Sequence, residues 1–351
     1  MRVNGKHYRT IWMEGTTVFM IDQNQLPFRF RIMECSDHKE TCQAIKKMTV
    51  RGAGAIGAAA GFAMAQAFLQ APDKNREEYL RIAKEEIENT RPTARNLFYA
   101  VDRVFEAGSR SVKDAAGEAQ ALAEENIRDA KKIGEHGNMV IFNGMKICTH
   151  CNAGWLGFVD YGSALSVIYT ARDQGKDVMV YVSETRPRGQ GARLTAWELA
   201  NEGIPHAVIT DSACAHLAAM GKIDLFITGA DRIARNGDTA NKIGTLDKAI
   251  IAEEFRIPFI VAAPLSTFDV SIATGKEIPI EERAPDELMF QEGIDESGEM
   301  ARIRVINDGS QVMNPAFDIT PAKYITGIAT EKDIIRPGED AIMKLFQSSS
   351  P

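Results

Sequence analysis

From about residue 139 the chain alternates short apolar, β-rich runs with helix-length segments, and this rhythm constrains the fold more than any other feature. MVIFNGMKICTH leads into YGSALSVIYTARDQG, DVMVYVSE into GARLTAWELANEG, and PHAVIT into SACAHLAAMGK. IDLFIT then precedes a Gly-rich loop and IGTLDKAIIAEEF, and IPFIVAAP ends the series. A hairpin needs only a few connecting residues, whereas strands joined through helices lie parallel in one sheet with crossovers of one hand. The expected class is α/β, with a doubly wound parallel sheet. Polar residues and glycines stand where these strands should end: Cys151 and Asn152, Glu184 to Gln190, Asp211, Gly229 with Asp231 and Arg232, and Pro264 with Ser266. Ligands of open α/β sheets bind at the carboxyl ends of the strands, so a small-molecule site is expected there.

The first part reads differently. TTVFMIDQ and RFRIMEC look like a strand pair, and DHKETCQAIKKMT has helical spacing with Ala44, Ile45 and Met48 on one face. AIGAAAGFAMAQAFLQ is a small-residue helix apolar on nearly every side, which argues for burial, and a charged helix after it should stop near Pro92. A chain of 351 residues exceeds one ordinary core. We expect a small N-terminal α/β domain over residues 1–125 and the sheet-bearing domain over 126–351, joined through the long helical segment SVKDAAGEAQALAEENIRDAKKIGEHG.

With 41 Lys+Arg against 48 Asp+Glu the net charge is -7, which disfavours nucleic acid as a partner but permits a local basic pocket. No run reads as a membrane span, so no membrane partner is expected. The five cysteines, an odd number with no secretory leader in view, suit free thiols in a cytoplasmic protein. One C-x-x-C, Cys148 and Cys151, lacks the second pair a structural zinc site needs, and His150, His206 and His216 lack ligand spacing, so no metal is expected.

TVRGAGAIGAAAG contains a literal G-x-G-x-x-G at Gly52, Gly54 and Gly57. A dinucleotide site needs a strand before the first glycine, and here the preceding segment is helical, so no dinucleotide cofactor is expected. Arg51 followed by Gly52 and Ala53 fits a phosphate monoester better: a guanidinium, unobstructed backbone N–H groups and the positive end of a helix starting near Ala55.

Six segments carry a specific resemblance: VRGAGAIG, TRPTARNL, THCNAG, ETRPRGQGARLTAWEL, GADRIARNGDTANKIGT and NPAFDITP. Their sequence and order resemble the methylthioribose-1-phosphate isomerases, a family homologous to the regulatory eIF2B-like subunits of a translation initiation complex. The resemblance covers nearly the whole chain. It implies a Rossmann-like catalytic domain, a homodimer, no cofactor, and an aldose–ketose isomerisation of 5-methylthioribose 1-phosphate to 5-methylthioribulose 1-phosphate in methionine salvage. Isomerases of 5-deoxyribose 1-phosphate or ribose 1,5-bisphosphate share most of these motifs, and a non-catalytic regulatory subunit is the remaining alternative.

The same resemblance assigns catalysis to Asp231 and Cys151, and contacts to the sugar phosphate to Arg51, Gly52, Ala53, Arg91, Gln190, Asn241 and Lys242. Asn241 and Lys242 precede a helix in this reading and would offer backbone N–H groups. Asp231 must be kept protonated by burial to act as an acid. Trp155, Leu156 and Phe158 would keep the site dry, and Arg188 is expected to be solvated. Position 54, where the family more often has proline, is glycine.

Overall fold

The computed structural model describes residues 1–91 and 95–347. The chain starts with a two-residue ladder, β1 (Arg2–Val3) and β2 (Lys6–His7), and an antiparallel meander of β3 (Ile11–Glu14), β4 (Thr17–Ile21) and β5 (Ile32–Cys35) with β4 in the middle. The expected strand pair is β4 with β5, and β3 completes it.

Five helices follow: α1 (His38–Lys46), α2 (Ala53–Gln70), α3 (Arg76–Glu88), α4 (Arg95–Arg110) and α5 (Val112–Gly137). The Asp37 side chain caps α1 by accepting from the Glu40 N–H, and Ser111 caps α5 by accepting from that of Asp114. Pro92, expected to stop α3, lies outside the described residues; the helix itself ends at Glu88. Contrary to the expectation that no run approaches a membrane span, α2 at 18 residues is long and apolar enough to qualify by length and composition. It is 83% buried within the protein, packed against α1, α3, α4 and α5, and is the core helix of this layer. Its small residues permit that: at Gly61 the side chains of Leu122, Val104 and Ala100 close directly over the backbone.

α5 packs on α2 and α4 at one end and on α6 (Ala164–Asp173) of the sheet layer at the other. Residues 125 and 126, where the division was expected, therefore sit within one continuous helix.

The main sheet holds β6 (Met145–His150), β7 (Val178–Ser183), β8 (His206–Ile209), β9 (Leu225–Thr228), β12 (Phe259–Ala262), β17 (Gly327–Ala329) and β18 (Ile334–Ile335). Their order is β18-β17-β12-β9-β6-β7-β8, and all pairs are parallel except β17 with β18. The chain runs outward from β6 through β7 to β8, then returns to lay β9 on the other side of β6. The switch point between β6 and β9 is where an open sheet of this kind leaves a crevice at its carboxyl edge. α6, α7 (Ala196–Asn201), α8 (Cys214–Ala219), α9 (Thr245–Glu254) and α11 (Glu339–Gln347) complete the layers, with apolar clusters around Ile147 and Val180 on one side and Phe226 and Phe259 on the other.

The stretch read as a Gly-rich loop after IDLFIT forms a hairpin instead. β10 (Arg232–Ala234) and β11 (Thr239–Lys242) turn through Asn236-Gly237, with Gly237 at φ 91°, and sit in a four-stranded sheet β13-β10-β11-β16 with β13 (Phe268–Asp269) and β16 (Phe317–Thr320). An excursion carries α10 (Asp286–Met289) and the hairpin β14 (Phe290–Ile294) with β15 (Met300–Arg304).

Candidate active site

The crevice at the switch point opens into a pocket walled from both parts of the chain. Arg51, Gly52, Ala53, Gly54 and Arg91 come from the helical layer; Cys151, Asn152, Gln190, Asp231, Asn241 and Lys242 come from strand ends and loops of the sheet. The two residues expected to be catalytic, Asp231 and Cys151, and the seven expected to contact the sugar phosphate therefore line one lumen, whereas Glu184, Asp211 and Ser266, also expected at strand ends, lie outside it.

The helical wall is built around Gly52. It is the residue before α2, at φ 87°, and a Cβ there would lie 2.4 Å from the Gly157 Cα. Only glycine permits both the conformation and the approach. α2 begins at Ala53, two residues earlier than expected, and its first turn carries no acidic residue. The N-terminal N–H groups and the positive end of an 18-residue helix thus face the pocket from Gly52 to Gly54. At Gly54, a side chain would meet Asn126 at 2.6 Å and the Phe158 ring at 2.9 Å, so the unusual glycine makes room for the aromatic wall. The Arg51 guanidinium grips one residue of the other layer: Nη1 donates to Asn152 Oδ1 at 2.6 Å and Nη2 to the Asn152 carbonyl at 2.8 Å.

Asp231 follows β9. Its carboxyl is open to the pocket lumen, yet protein walls surround that lumen, so water reaches the group while its charge is poorly solvated. That desolvation raises its pKa above the ordinary 3.8, against the opposing pull of Lys242, Arg51, Arg283 and Arg91. Burial in turn lowers the pKa of Lys242, whose Nζ donates to the Ala316 carbonyl at 2.8 Å and lies over the Phe317 ring. Arg91 is lowered as well, first by burial and then by the charge of Arg283.

Cys151 sits just past β6 with φ 63°, a left-handed conformation that non-glycine residues rarely hold without external support. The support is visible. Its N–H donates to Thr185 Oγ1 at 2.8 Å and its carbonyl accepts from Thr195 Oγ1 at 2.7 Å. Thr185, itself at φ 64°, has its N–H held by Asp211 Oδ1 at 2.8 Å, and Asp211 Oδ2 accepts from the Arg186 N–H. Cys148, the other half of the C-x-x-C, faces away into the core with its Sγ 3.8 Å from Cys214 Sγ.

Gln190 is buried at the entrance to α7 with its Oε1 unpartnered among the described residues, an acceptor waiting for a hydroxyl or N–H. Four expectations need correction. Asn241 and Lys242 lie in β11, paired on both edges with β10 and β16, so their place is in a ladder; the helix starts only at Thr245, and their side chains supply what they bring to the site. Trp155 and Leu156 are fully buried in the sheet core, and of that trio only Phe158 lines the pocket. Arg188 is paired: it donates to Glu287 at 3.3 Å, Asn24 at 3.2 Å and the Met48 sulfur. His150, read from its spacing as structural, lines the pocket; burial pushes its pKa down to about 3, and its Nε2 lies 2.8 Å from the Ile243 carbonyl, which fixes it as a neutral N–H donor there.

Sequence reading missed two residues. Arg283 enters from the loop before α10, far from any strand end. Glu198 of α7 looked like one more helical glutamate, but it is fully buried and accepts four hydrogen bonds. The sequence carried no signal for it, since the positions that share its helix face are Leu194, Thr195, Asn201 and Glu202, mostly polar.

Residues 49–337 match the Initiation factor 2 subunit family. The chain belongs to this family. Within the family it is 44% identical over 352 residues to methylthioribose-1-phosphate isomerase 1 of Pseudothermotoga lettingae, covering 97% of this chain and 99% of that protein. It is 45% identical over 346 residues to methylthioribose-1-phosphate isomerase of Thermotoga maritima, covering 97% and 98%. The solved 5-methylthioribose 1-phosphate isomerase from Pyrococcus horikoshii OT3 superposes with a TM-score of 0.88 at 40% identity, over 98% of this chain and 97% of that one. Another solved family member, described as translation initiation factor eIF-2B subunit delta from A. fulgidus, gives 0.85 at 39% identity over 97% and 100%.

Proposed function

We propose that the protein is an aldose–ketose isomerase that converts 5-methylthioribose 1-phosphate to 5-methylthioribulose 1-phosphate, a step of methionine salvage. The observation that carries this reading is the pairing, in one lumen, of a phosphate cradle with a carboxyl whose pKa is raised. Arg51, Arg91, Lys242 and the N-terminus of α2 suit a dianionic phosphate, and Gln190 and Asn241 suit the hydroxyls of its sugar.

The anomeric oxygen of such a substrate is esterified, so its ring opens only if the ring oxygen receives a proton. In this reading protonated Asp231 delivers it, and the C1–O bond of the ring breaks. Hydrogen then moves from C2 to C1 while the C2 hydroxyl gives up its proton to the resulting Asp231 carboxylate, leaving the ketone at C2. Ile56, Phe158, Ile278 and Phe317 give the pocket apolar walls, which favours direct hydride transfer over a solvent-exchanging enolate with Cys151 as its base. Turnover in D2O tests this: the hydride route leaves C1 free of deuterium, the enolate route labels it.

For the 5-substituent, the same apolar walls and Met48 suit a methylthio group. Arg188, the extra cation a second phosphate would need, is engaged by Glu287 and Asn24. Side-by-side kinetics on the methylthio, deoxy and phospho substrates should rank the methylthio compound first in kcat/KM. The A. fulgidus subunit, similar at 0.85, makes a regulatory role the second reading. No turnover by the pure protein on any of the three sugars would favour it. A cytoplasmic homodimer belongs to the same proposal: the five free cysteines suit a reducing compartment, and light scattering on the purified protein reads the assembly.

A further inference from the structure

Beneath the phosphate cradle, outside the pocket, one buried carboxylate gathers the wall that Arg51 grips. Glu198 Oε1 accepts from Asn152 Nδ2 at 2.8 Å and from the Leu156 N–H at 3.2 Å; Oε2 accepts from the Trp155 N–H at 2.9 Å and from the Tyr169 hydroxyl at 2.7 Å. All four partners donate, and two of them are backbone groups of the 152–158 loop. Gly154 is what lets the carboxylate in, since a Cβ there would lie 1.9 Å from Oε2. The consequence falls on Asn152. Glu198 and Thr195 Oγ1 hold its amide nitrogen on one side, which turns its oxygen to Arg51 on the other. An amide free to flip would set N–H groups against the guanidinium.

We propose that Glu198 is a positioning residue for phosphate recognition: acting through Asn152, it aims the Arg51 guanidinium at the phosphate of the substrate. This rests on the isomerase reading only for the identity of that substrate. Because Arg51 holds a group that does not react, its misplacement weakens ground state and transition state alike, so KM carries the effect and kcat does not.

The test is Glu198→Gln, whose amide presents a donor to partners that only donate and frees Asn152 to flip. KM for the sugar phosphate and the Kd of inorganic phosphate, measured by calorimetry, should each rise about 10-fold with kcat within about 3-fold. In an Arg51→Ala background, adding Glu198→Gln should shift phosphate affinity less than about 2-fold, because the cation it aims is gone. A folded Glu198→Gln protein with unchanged phosphate affinity overturns the proposal, as do additive losses in the double variant. Should Glu198→Gln fail to fold, Tyr169→Phe removes one of the four donors from a site that meets the pocket only through Glu198. A rise of about 3-fold in phosphate Kd supports the proposal and an unchanged Kd overturns it. A wild-type protein that binds phosphate but does not turn the sugar over would sink the isomerase reading and leave this one standing.

Discussion

Asp231 shows how one residue acquires its chemistry from its surroundings. An aspartate is ordinarily ionised at neutral pH; here poor solvation raises its pKa, while Lys242, Arg51, Arg283 and Arg91 moderate the shift. In the proposed mechanism the acid form is the working form, so kcat/KM should fall as pH rises through that raised pKa, a limb read from a pH–rate profile. Asp231→Asn keeps the shape and hydrogen-bonding capacity but carries no transferable proton, and kcat should drop about 10²–10⁴-fold with thermal stability retained. Normal turnover by that variant would remove Asp231 from the mechanism. The aspartate was visible in GADR; its pKa was not, because the pocket walls around it and the opposing cations at residues 51, 91, 242 and 283 meet it only in the fold. Glu198 was illegible for the converse reason: its role depends on four donors that only folding brings to it.

Among the elements, the entrance to α2 has the most at stake. Gly52→Ala would force a Cβ into the Gly157 backbone at a residue held at positive φ, and denaturant unfolding should show a loss of about 1–3 kcal/mol with a raised KM for the sugar phosphate. Unchanged stability and KM would show that the loop tolerates displacement. The repeating strand–helix rhythm made β6, β7, β8, β9 and β12 readable, since each is a short apolar run bounded by turn residues. The hairpin of β10 and β11 was not read, although Asn236-Gly237 is a turn signal, because its strands are brief and polar and gain their place by pairing with β13 and β16. β14 and β15, short and largely exposed, gave no burial pattern to read.

For the whole molecule, protonation couples to stability with a definite sign. Burial raises Glu331 from the ordinary 4.5 to about 7, and Asp129 and Asp318 from 3.8 to about 6. Between the unfolded and folded values these three carboxyls hold protons that the unfolded chain has lost, so stability falls as pH rises. His150, lowered from 6.5 to about 3, works the other way over the same range, but it is one group against three. Net stability should therefore decrease from pH 5 to 7. The urea midpoint measures it, and Glu331→Gln should flatten the slope; a midpoint that rises over this range would contradict the balance of groups described. What the sequence determined alone was local and periodic: the α/β class, a mainly parallel sheet, and a glycine and arginine pattern fit for a phosphate, all set by short-range sterics and hydrophobic spacing. What tertiary structure decided was proximity. The raised pKa of Asp231, the pairing of Arg188 and the four donors around Glu198 depend on solvation and partners supplied by residues distant along the chain, and such energies exist only once those residues meet.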